Sequence, residues 1–166
     1  MTELRASDGS TIGTFAVGNR PTAGAFDGTA IWVANSQGDS VTKLQQSNGS
    51  LLGTFAVGSC PGGLAFDGAN MWVANSGCGS GNTVTQLRAS NGAVLGTFIV
   101  GTSPQSTTFD GANICVTLDG PGGGVTKLRA SDGTFLGTFP TGSYPIGLAS
   151  GGVYMWIANS GGVSKE

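Results

Sequence analysis

The chain has 166 residues, of which 31 are glycine, 10% are charged and none is histidine, and its net charge is −2. This length predicts a single domain with a core large enough to fold unaided. The weakly acidic charge gives no attraction to nucleic acid or to an anionic membrane, so neither is expected as a partner. No apolar run could span a bilayer, and Met1–Ser10 lacks the features of a signal peptide, which leaves the localisation open.

From its first residues to its last, the chain repeats one pattern four times. Prolines at positions 21, 61, 104 and 145 are 40, 43 and 41 residues apart, and the leucine and phenylalanine markers keep the same intervals. Extra residues near Cys78–Asn82 account for the longest interval. A constant period of this length is typical of repeat architectures.

Each unit predicts four short strands. The unit from Pro61 contains PGGLAFDG, ANMWVANS, NTVTQLRASNG and AVLGTFIVG, which are rich in apolar and β-branched residues and end at Gly, Asn or Asp. Asp-Gly and Asn-Gly pairs, such as Asp67-Gly68 and Asn91-Gly92, are typical of tight hairpin turns. Four antiparallel strands in about 42 residues is the period of a β-propeller blade, and no window has the apolar spacing of a helix.

These motifs resemble the YVTN and NHL-type β-propeller repeats of bacterial proteins, a group that includes the streptogramin-lyase-like propellers. The resemblance implies blades of strands A (Pro-x-Gly-Leu-Ala-Phe) to D (Leu-Gly-Thr-Phe), with A innermost. It divides the single domain of residues 1–166 into a half blade 1–17, blades 18–58, 59–101 and 102–142, and a half blade 143–166. The half blades add up to a fourth blade fastened by its first and last strands, and Val163–Lys165 begins another strand C.

The repeated large side chains are predicted to form a core between blades. Trp32, Trp72 and Trp156 on strand B belong to this core, because stacked sheets bury both faces. The buried set is completed by five residues of the second unit and their equivalents in the other units, and these five are Leu64, Phe66, Val84, Leu87 and Phe98. Cys115 replaces the third tryptophan and Thr117 the nearby alanine, a departure that indicates drift rather than a binding site.

Catalytic groups are scarce in this sequence. Without histidine, the chain lacks the residues on which lyase activity in the resembled family depends, so that activity is not expected. Asp27, Asp67 and Asp110 recur at the end of strand A, where they either cap their turns or ring the axis and hold a cation, with Ser150 at the fourth place. No catalytic residue, metal ligand or cofactor is predicted.

The remaining polar residues predict a binding face formed by loops. Propeller ligands usually bind where the D–A and B–C loops meet. The candidate ligand-binding residues on these loops are Arg20, Asn35, Asn75, Gln105, Tyr144 and Asn159. The leading hypothesis is a non-catalytic scaffold for a protein, peptide or glycan. The alternatives are a metal-assisted lyase- or hydrolase-like enzyme that uses carboxylates near the axis, and a segment of a longer propeller protein.

Two further expectations concern covalent and subunit contacts. Cys60 and Cys78 lie at similar distances on either side of the A–B turn, which places them within disulfide range, whereas Cys115 stays a buried thiol. Four blades either close as a ring or pair with a second chain into eight blades. Because the resembled family usually has six to eight blades, a two-fold homodimer is the preferred expectation.

Overall fold

The computed structural model describes residues 1–160, which are almost entirely β-structure and turns. The single helical element in this range is a 3-10 turn at Gly77–Gly79, and the residues that the structure describes contain no helix able to cross a membrane. The sixteen strands, in chain order, are β1 Thr2–Leu4, β2 Thr11–Thr14, β3 Pro21–Phe26, β4 Ala30–Asn35, β5 Ser40–Gln45, β6 Leu51–Ala56, β7 Pro61–Phe66, β8 Asn70–Asn75, β9 Thr83–Arg88, β10 Val94–Ile99, β11 Pro104–Phe109, β12 Asn113–Leu118, β13 Gly124–Arg129, β14 Phe135–Pro140, β15 Pro145–Ser150 and β16 Met155–Asn159.

The strands form blades in the order of the chain. Three four-stranded antiparallel sheets have the orders β3-β4-β5-β6, β7-β8-β9-β10 and β11-β12-β13-β14. They are called blades 1, 2 and 3 below. The hairpin β1-β2 precedes blade 1 and the hairpin β15-β16 follows blade 3. The expectation of an all-β fold built from four-stranded antiparallel propeller blades is therefore confirmed.

The first strand of each blade lies at the inside of the arc. Strands β3, β7, β11 and β15 contact one another in sequence, while the fourth strands lie outermost. The inner strands approach so closely that a Cβ atom at Gly63 on β7 would lie 2.5 Å from the carbonyl oxygen of Gln105 on β11. Glycine is therefore required at this point of the inner strand.

Two apolar clusters join neighbouring blades. Between blades 1 and 2, Trp32 packs with Met71 and Leu87 and has its ring centroid 5.6 Å from that of Phe55. Between blades 2 and 3, Trp72 packs with residues of blade 3 and lies 5.4 Å from Phe98. Both tryptophans are fully buried, as the sequence predicted for them. Burying such side chains is the main favourable contribution to the stacking of blades.

A second contact repeats at three junctions, which join β1-β2 to blade 1, blade 1 to blade 2 and blade 2 to blade 3, and it is called the Phe–Gly joint below. The ring of Phe15, which follows β2, lies where a Cβ would stand at Gly49 in the β5–β6 turn of blade 1. Phe55 meets Gly92 in the same way, and Phe98 meets Gly133. Gly49 has φ +69°, so both its backbone conformation and the space above it exclude a side chain.

The two ends of the arc differ from the expectations. Trp156 is 71% exposed, because no blade follows β15-β16 within the described residues. The prediction that it lies in the core is wrong for one chain. The first and last strands also belong to separate two-stranded sheets, so a single chain does not close its fourth blade here. The expected strand at Val163–Lys165 lies outside the described residues.

A candidate ligand-binding cavity at the inner strands

A polar cavity lies where the inner strands begin. Its volume is about 700 Å³. The second residue of every inner strand lines it, and these residues are Thr22, Gly62, Gln105 and Ile146. Ser36 and Ser76, which follow the second strands of blades 1 and 2, also line it. The cavity is therefore bounded by inner strands and by the loops that the sequence predicted to form a binding face.

Arg20 is the charged residue of this lining. It precedes β3 with φ 52°, and Cys60, Ser103 and Tyr144 hold the same left-handed conformation before the other inner strands. The loop is fixed by the backbone of Arg20, whose carbonyl oxygen accepts a 2.9 Å hydrogen bond from the N–H of Ser36. Within residues 1–160 its guanidinium forms no ion pair or side-chain hydrogen bond, so its donors are available to a ligand.

Blade 3 contributes the most polar part of the lining. Gln105, Ser106 and Thr107 stand on β11, where blade 2 has Gly62, Gly63 and Leu64, and all three line the cavity. Gln105 belongs to the strand itself, not to the preceding loop as the sequence suggested. Thr117 Oγ1 accepts a 2.9 Å hydrogen bond from the N–H of Ser106. These three departures of blade 3 from the repeat therefore face the cavity, whereas Cys115 and Thr117, which the sequence analysis attributed to drift, do not line it.

The asparagines predicted to bind a ligand have different positions. Asn35 is fully buried, and its Nδ2 donates hydrogen bonds to Ser40 Oγ and Thr42 Oγ1. Asn75 is 2% exposed and donates to Thr83 and Thr85 in the same way. Neither side chain can touch a ligand, because both are enclosed by their own blades. The sequence left both roles open, because an Asn-Ser pair at a strand end is typical of a local structural hydrogen bond as well as of a loop contact.

Two other predicted site residues stand apart from the cavity lining. Asn159 is exposed at the end of β16, and Tyr144 is 43% exposed before β15. The neighbouring Ile146 occupies the lining at this end of the arc. Of the six candidate ligand-binding residues, the structure brings only Arg20 and Gln105 together on the cavity.

A disulfide joins the loops of blade 2 at the cavity. Cys60 and Cys78 both contribute to the lining, and their Cα atoms are 5.4 Å apart. They are not opposite each other in the strand pair, since the N–H of Ser76 donates to the carbonyl of Cys60. The 3-10 turn at Gly77–Gly79 instead brings Cys78 back toward Cys60. The additional residues in this unit thus serve to place the second cysteine.

The repeated aspartates cap their turns. Asp27 accepts hydrogen bonds from the N–H groups of Thr29 and Ala30 and, at 2.8 Å, from Trp32 Nε1. Its ion pair with Lys43 measures 3.2 Å. The structure therefore supports capping over a ring around the axis, and residues 1–160 contain no group of three or more metal-ligating side chains. Burial raises the pKa of Asp27, but these hydrogen bonds outweigh it and hold the pKa well below its ordinary value.

The capping aspartate of blade 3 has a similar environment. Lys127 Nζ lies 2.8 Å from Asp110 Oδ2, and the N–H groups of Ala112 and Asn113 also donate to this carboxylate. Burial raises the pKa of Asp110 as well, but these hydrogen bonds outweigh the effect of burial and hold the pKa below its ordinary value. At the incomplete blade, Gly151 holds the aspartate position, because Ser150 pairs with Met155 as Phe66 pairs with Met71. The sequence alignment that placed Ser150 there was wrong by one residue.

Cys115 is an enclosed thiol rather than an activated one. It is fully buried where the other blades have tryptophan, and its Sγ lies 3.8 Å from Asp110 Oδ2. Burial, together with this carboxylate, raises the pKa of the thiol to about 12. A protonated, enclosed thiol is a poor nucleophile, so Cys115 replaces the indole as a packing residue.

The repeated blades, with a polar cavity at their inner strands, define this chain as a β-propeller protein. No family model and no curated protein matches it. Among solved structures it is similar to Kuenenia stuttgartiensis hydrazine synthase, with a TM-score of 0.79, 22% identity and coverage of 89% of this chain and 44% of that one. It is also similar to the dihydro-heme d1 dehydrogenase NirN in complex with DHE, with a TM-score of 0.66, 10% identity, and 86% and 33% coverage.

Both neighbours are β-propeller proteins, and at these identities the likeness concerns the fold alone. The chain spans less than half the length of either neighbour.

Proposed function

We propose that this propeller binds a glycan in the cavity at its inner strands, without catalysing a reaction. The observation that carries the proposal is the set of unused polar groups around one cavity of about 700 Å³. Gln105, Ser106 and Ser36 have no side-chain hydrogen bonds within residues 1–160, and Arg20 has no ion pair there. Ligand sites commonly combine such a concave shape with a few unspent donors and acceptors.

The chemistry of the lining favours a polyhydroxylated ligand. Hydroxyl and amide side chains outnumber large apolar ones, of which the lining has Leu64 and Ile146. A peptide is usually anchored by deep apolar pockets or by a free strand edge, whereas sugar hydroxyls match the donors and acceptors of Ser, Thr and Gln. Arg20 adds a positive charge to the lining, so saccharides that carry a carboxylate should bind more tightly than neutral ones.

The lining also favours binding over catalysis. It contains no aspartate, glutamate or lysine, and its two cysteines are joined in the disulfide. General acid–base catalysis and nucleophilic catalysis both need a titratable group near the substrate. The carboxylates of Asp27 and Asp110 are engaged in their turns instead.

The test is a titration of neutral and uronic-acid oligosaccharides followed by calorimetry. Uronic-acid oligosaccharides should bind, Gln105→Ala should weaken binding about tenfold, and Arg20→Ala should weaken it by about tenfold to a hundredfold. Arg88→Ala is the matched control, since Arg88 is an exposed arginine that does not line this cavity. Absence of saccharide binding, or equal losses for Arg20 and Arg88, contradicts the proposal.

A further inference from the structure

The Phe–Gly joint leaves one unmatched partner at each end of the chain. Phe139 on β14 occupies the position of Phe55 and Phe98, yet it is 51% exposed. Gly9 occupies the position of Gly49 in its turn, with φ +72°, and no atom lies within 4 Å of a Cβ built there. Three joints are formed within the chain, and the parts of a fourth are both present but separate.

The two terminal hairpins are likewise complementary parts that are separate within one chain. In blade 1, β4 pairs with β3 on one side and with β5 on the other. Within the described residues, β16 pairs with β15 alone and β1 with β2 alone. Strands β15 and β16 are the first half of a blade, and β1 and β2 are the second half. Together they make one blade of the same four-stranded type.

The register of the complete blades shows which residues would meet. Trp32 pairs with Lys43 on the neighbouring strand, and the corresponding residues of the terminal hairpins are Trp156 and Glu3. Where Trp32 has Asp27 as its hydrogen-bond acceptor, Trp156 faces Gly151 and has no acceptor within residues 1–160. In a completed blade with this register, Glu3 would lie beside Trp156 and supply the missing carboxylate. Glu3 stands where blade 1 has Lys43, and Gly151 stands where blade 1 has Asp27. Because Gly151 carries no charge, Glu3 does not face a second carboxylate.

A small cavity marks the place for this tryptophan. Trp32 packs against Met71 and Leu87 of the next blade and against Phe55. The equivalent residues at the start of the chain are Ile31, Leu44 and Phe15, and these line a cavity of about 220 Å³ together with Glu3. Its lining thus repeats the environment that buries Trp32, without a tryptophan.

We propose that a second copy of this chain completes the blade. The β1-β2 hairpin of each copy pairs with β16 of the other, Trp156 enters the small cavity of the partner, and Phe139 packs on the partner's Gly9. The chain's own hairpin lies on blade 1 through Phe15 and Gly49, in a sheet separate from β15-β16. Each copy supplies one β1-β2 hairpin and one free β16 edge. A two-fold pair therefore completes the blade at both ends of each chain and forms an eight-bladed ring.

Light scattering and two point variants test the assembly. The mass should be close to twice the 16.4 kDa of one chain at micromolar concentration. Trp156→Ala and Phe139→Ala should each weaken the dimer at least about a hundredfold, because each removes a buried aromatic from two symmetric contacts. Phe135→Ala is the matched control on the same strand. Phe135 is 55% exposed, and its equivalents Leu51 and Val94 stay exposed where the next blade is present.

A cysteine pair distinguishes two chains from one. Thr2 and Ile157 correspond to the paired residues Thr42 and Val33, so Thr2→Cys with Ile157→Cys should form a disulfide between copies and a covalent dimer. The same disulfide within one chain would indicate a closed four-bladed ring and overturn the proposal. A monomeric mass, or equal effects of the Phe139 and Phe135 variants, would overturn it as well.

Discussion

The indole Nε1 of Trp72 donates a 2.7 Å hydrogen bond to the carboxylate of Asp67, five residues earlier in the same blade. The same carboxylate accepts hydrogen bonds from the backbone N–H groups of the A–B turn, so it joins the turn to the core. Trp32 and Asp27 repeat the arrangement. The tryptophan and the turn aspartate of the repeat therefore form one structural unit. The aspartate accepts the hydrogen bond of the indole N–H, which is the only polar group of the buried ring.

Truncation of this ring should be costly. Trp72→Ala is expected to lower the free energy of unfolding by about 3–5 kcal/mol, because it opens a cavity between blades 2 and 3 and leaves Asp67 without its indole donor. Leu95→Ala, at a 43% exposed position on β10, should change stability by less than about 0.5 kcal/mol. Urea denaturation monitored by circular dichroism measures both. Similar losses for the two variants would mean that the blades are not packed through Trp72.

The lowered pKa of Asp27 predicts a specific acid dependence. Its carboxylate is stabilised in the folded state, so its contribution is present above the ordinary pKa near 3.8 and is lost as the pH falls below that value. Asp27→Asn should remove this contribution at neutral pH and destabilise by about 3 kcal/mol, since buried Lys43 loses its counter-charge. The stability of the Asp27→Asn variant should then depend less on pH below 4 than the stability of the unchanged protein does.

The control for this measurement is Asp119→Asn, whose carboxylate forms no salt bridge within residues 1–160. It should keep the acid dependence of the parent protein in urea titrations repeated across the pH range. If both variants show the same profile as the parent, the hydrogen bonds around Asp27 are not formed in solution.

Reduction of the disulfide should destabilise the fold moderately. Cys60 and Cys78 are separated by 18 residues in sequence, and closing a loop of this size stabilises a protein by about 3 kcal/mol through the unfolded state. The midpoint of urea unfolding should fall when reductant is added. The double variant Cys60→Ser, Cys78→Ser should have the lower midpoint at the start and should not respond to reductant. A midpoint unaffected by reductant in the unchanged protein would contradict the bond.

Cys115 should resist alkylation in the folded protein. Its pKa of about 12 leaves very little thiolate at pH 8, and the side chain is fully buried. Iodoacetamide should label it at least about a hundredfold faster in urea than in buffer, and mass mapping of the unreduced protein should find a single labelled cysteine. Fast labelling of the folded protein at Cys115 would show that the third blade opens.

Most of the fold could be predicted from the sequence, because the signals are local. Alternating apolar residues set the strands, and Asp-Gly or Asn-Gly pairs set the turns. Burial could be predicted only where the array supplies a next blade. Trp72 and Trp156 stand in nearly the same local sequence, yet one is fully buried and the other is 71% exposed. This difference depends on position in the array, which a repeat motif does not encode.

The site was predictable where residues depart from the repeat. Arg20, Gln105 and Tyr144 were proposed because the pattern does not require them, and of these three Arg20 and Gln105 line the cavity. Asn35 and Asn75 follow the pattern and are structural. Ser106 and Thr107 also depart from the repeat and line the cavity, but the sequence analysis did not single them out. Their role depends on the packing of β11 against the neighbouring inner strands, which involves residues distant in sequence.

The Phe–Gly joint also has a consequence for how such chains change length. Inserting one more unit of the repeat adds one phenylalanine and one receiving glycine, so the inserted copy joins its neighbours through contacts that already exist. Whatever the number of units, one phenylalanine and one glycine remain at the ends. Duplication or loss of a unit by recombination therefore alters the diameter of the assembly without requiring a new interface. Selection can then change the number of blades without changing the contacts that hold the blades together.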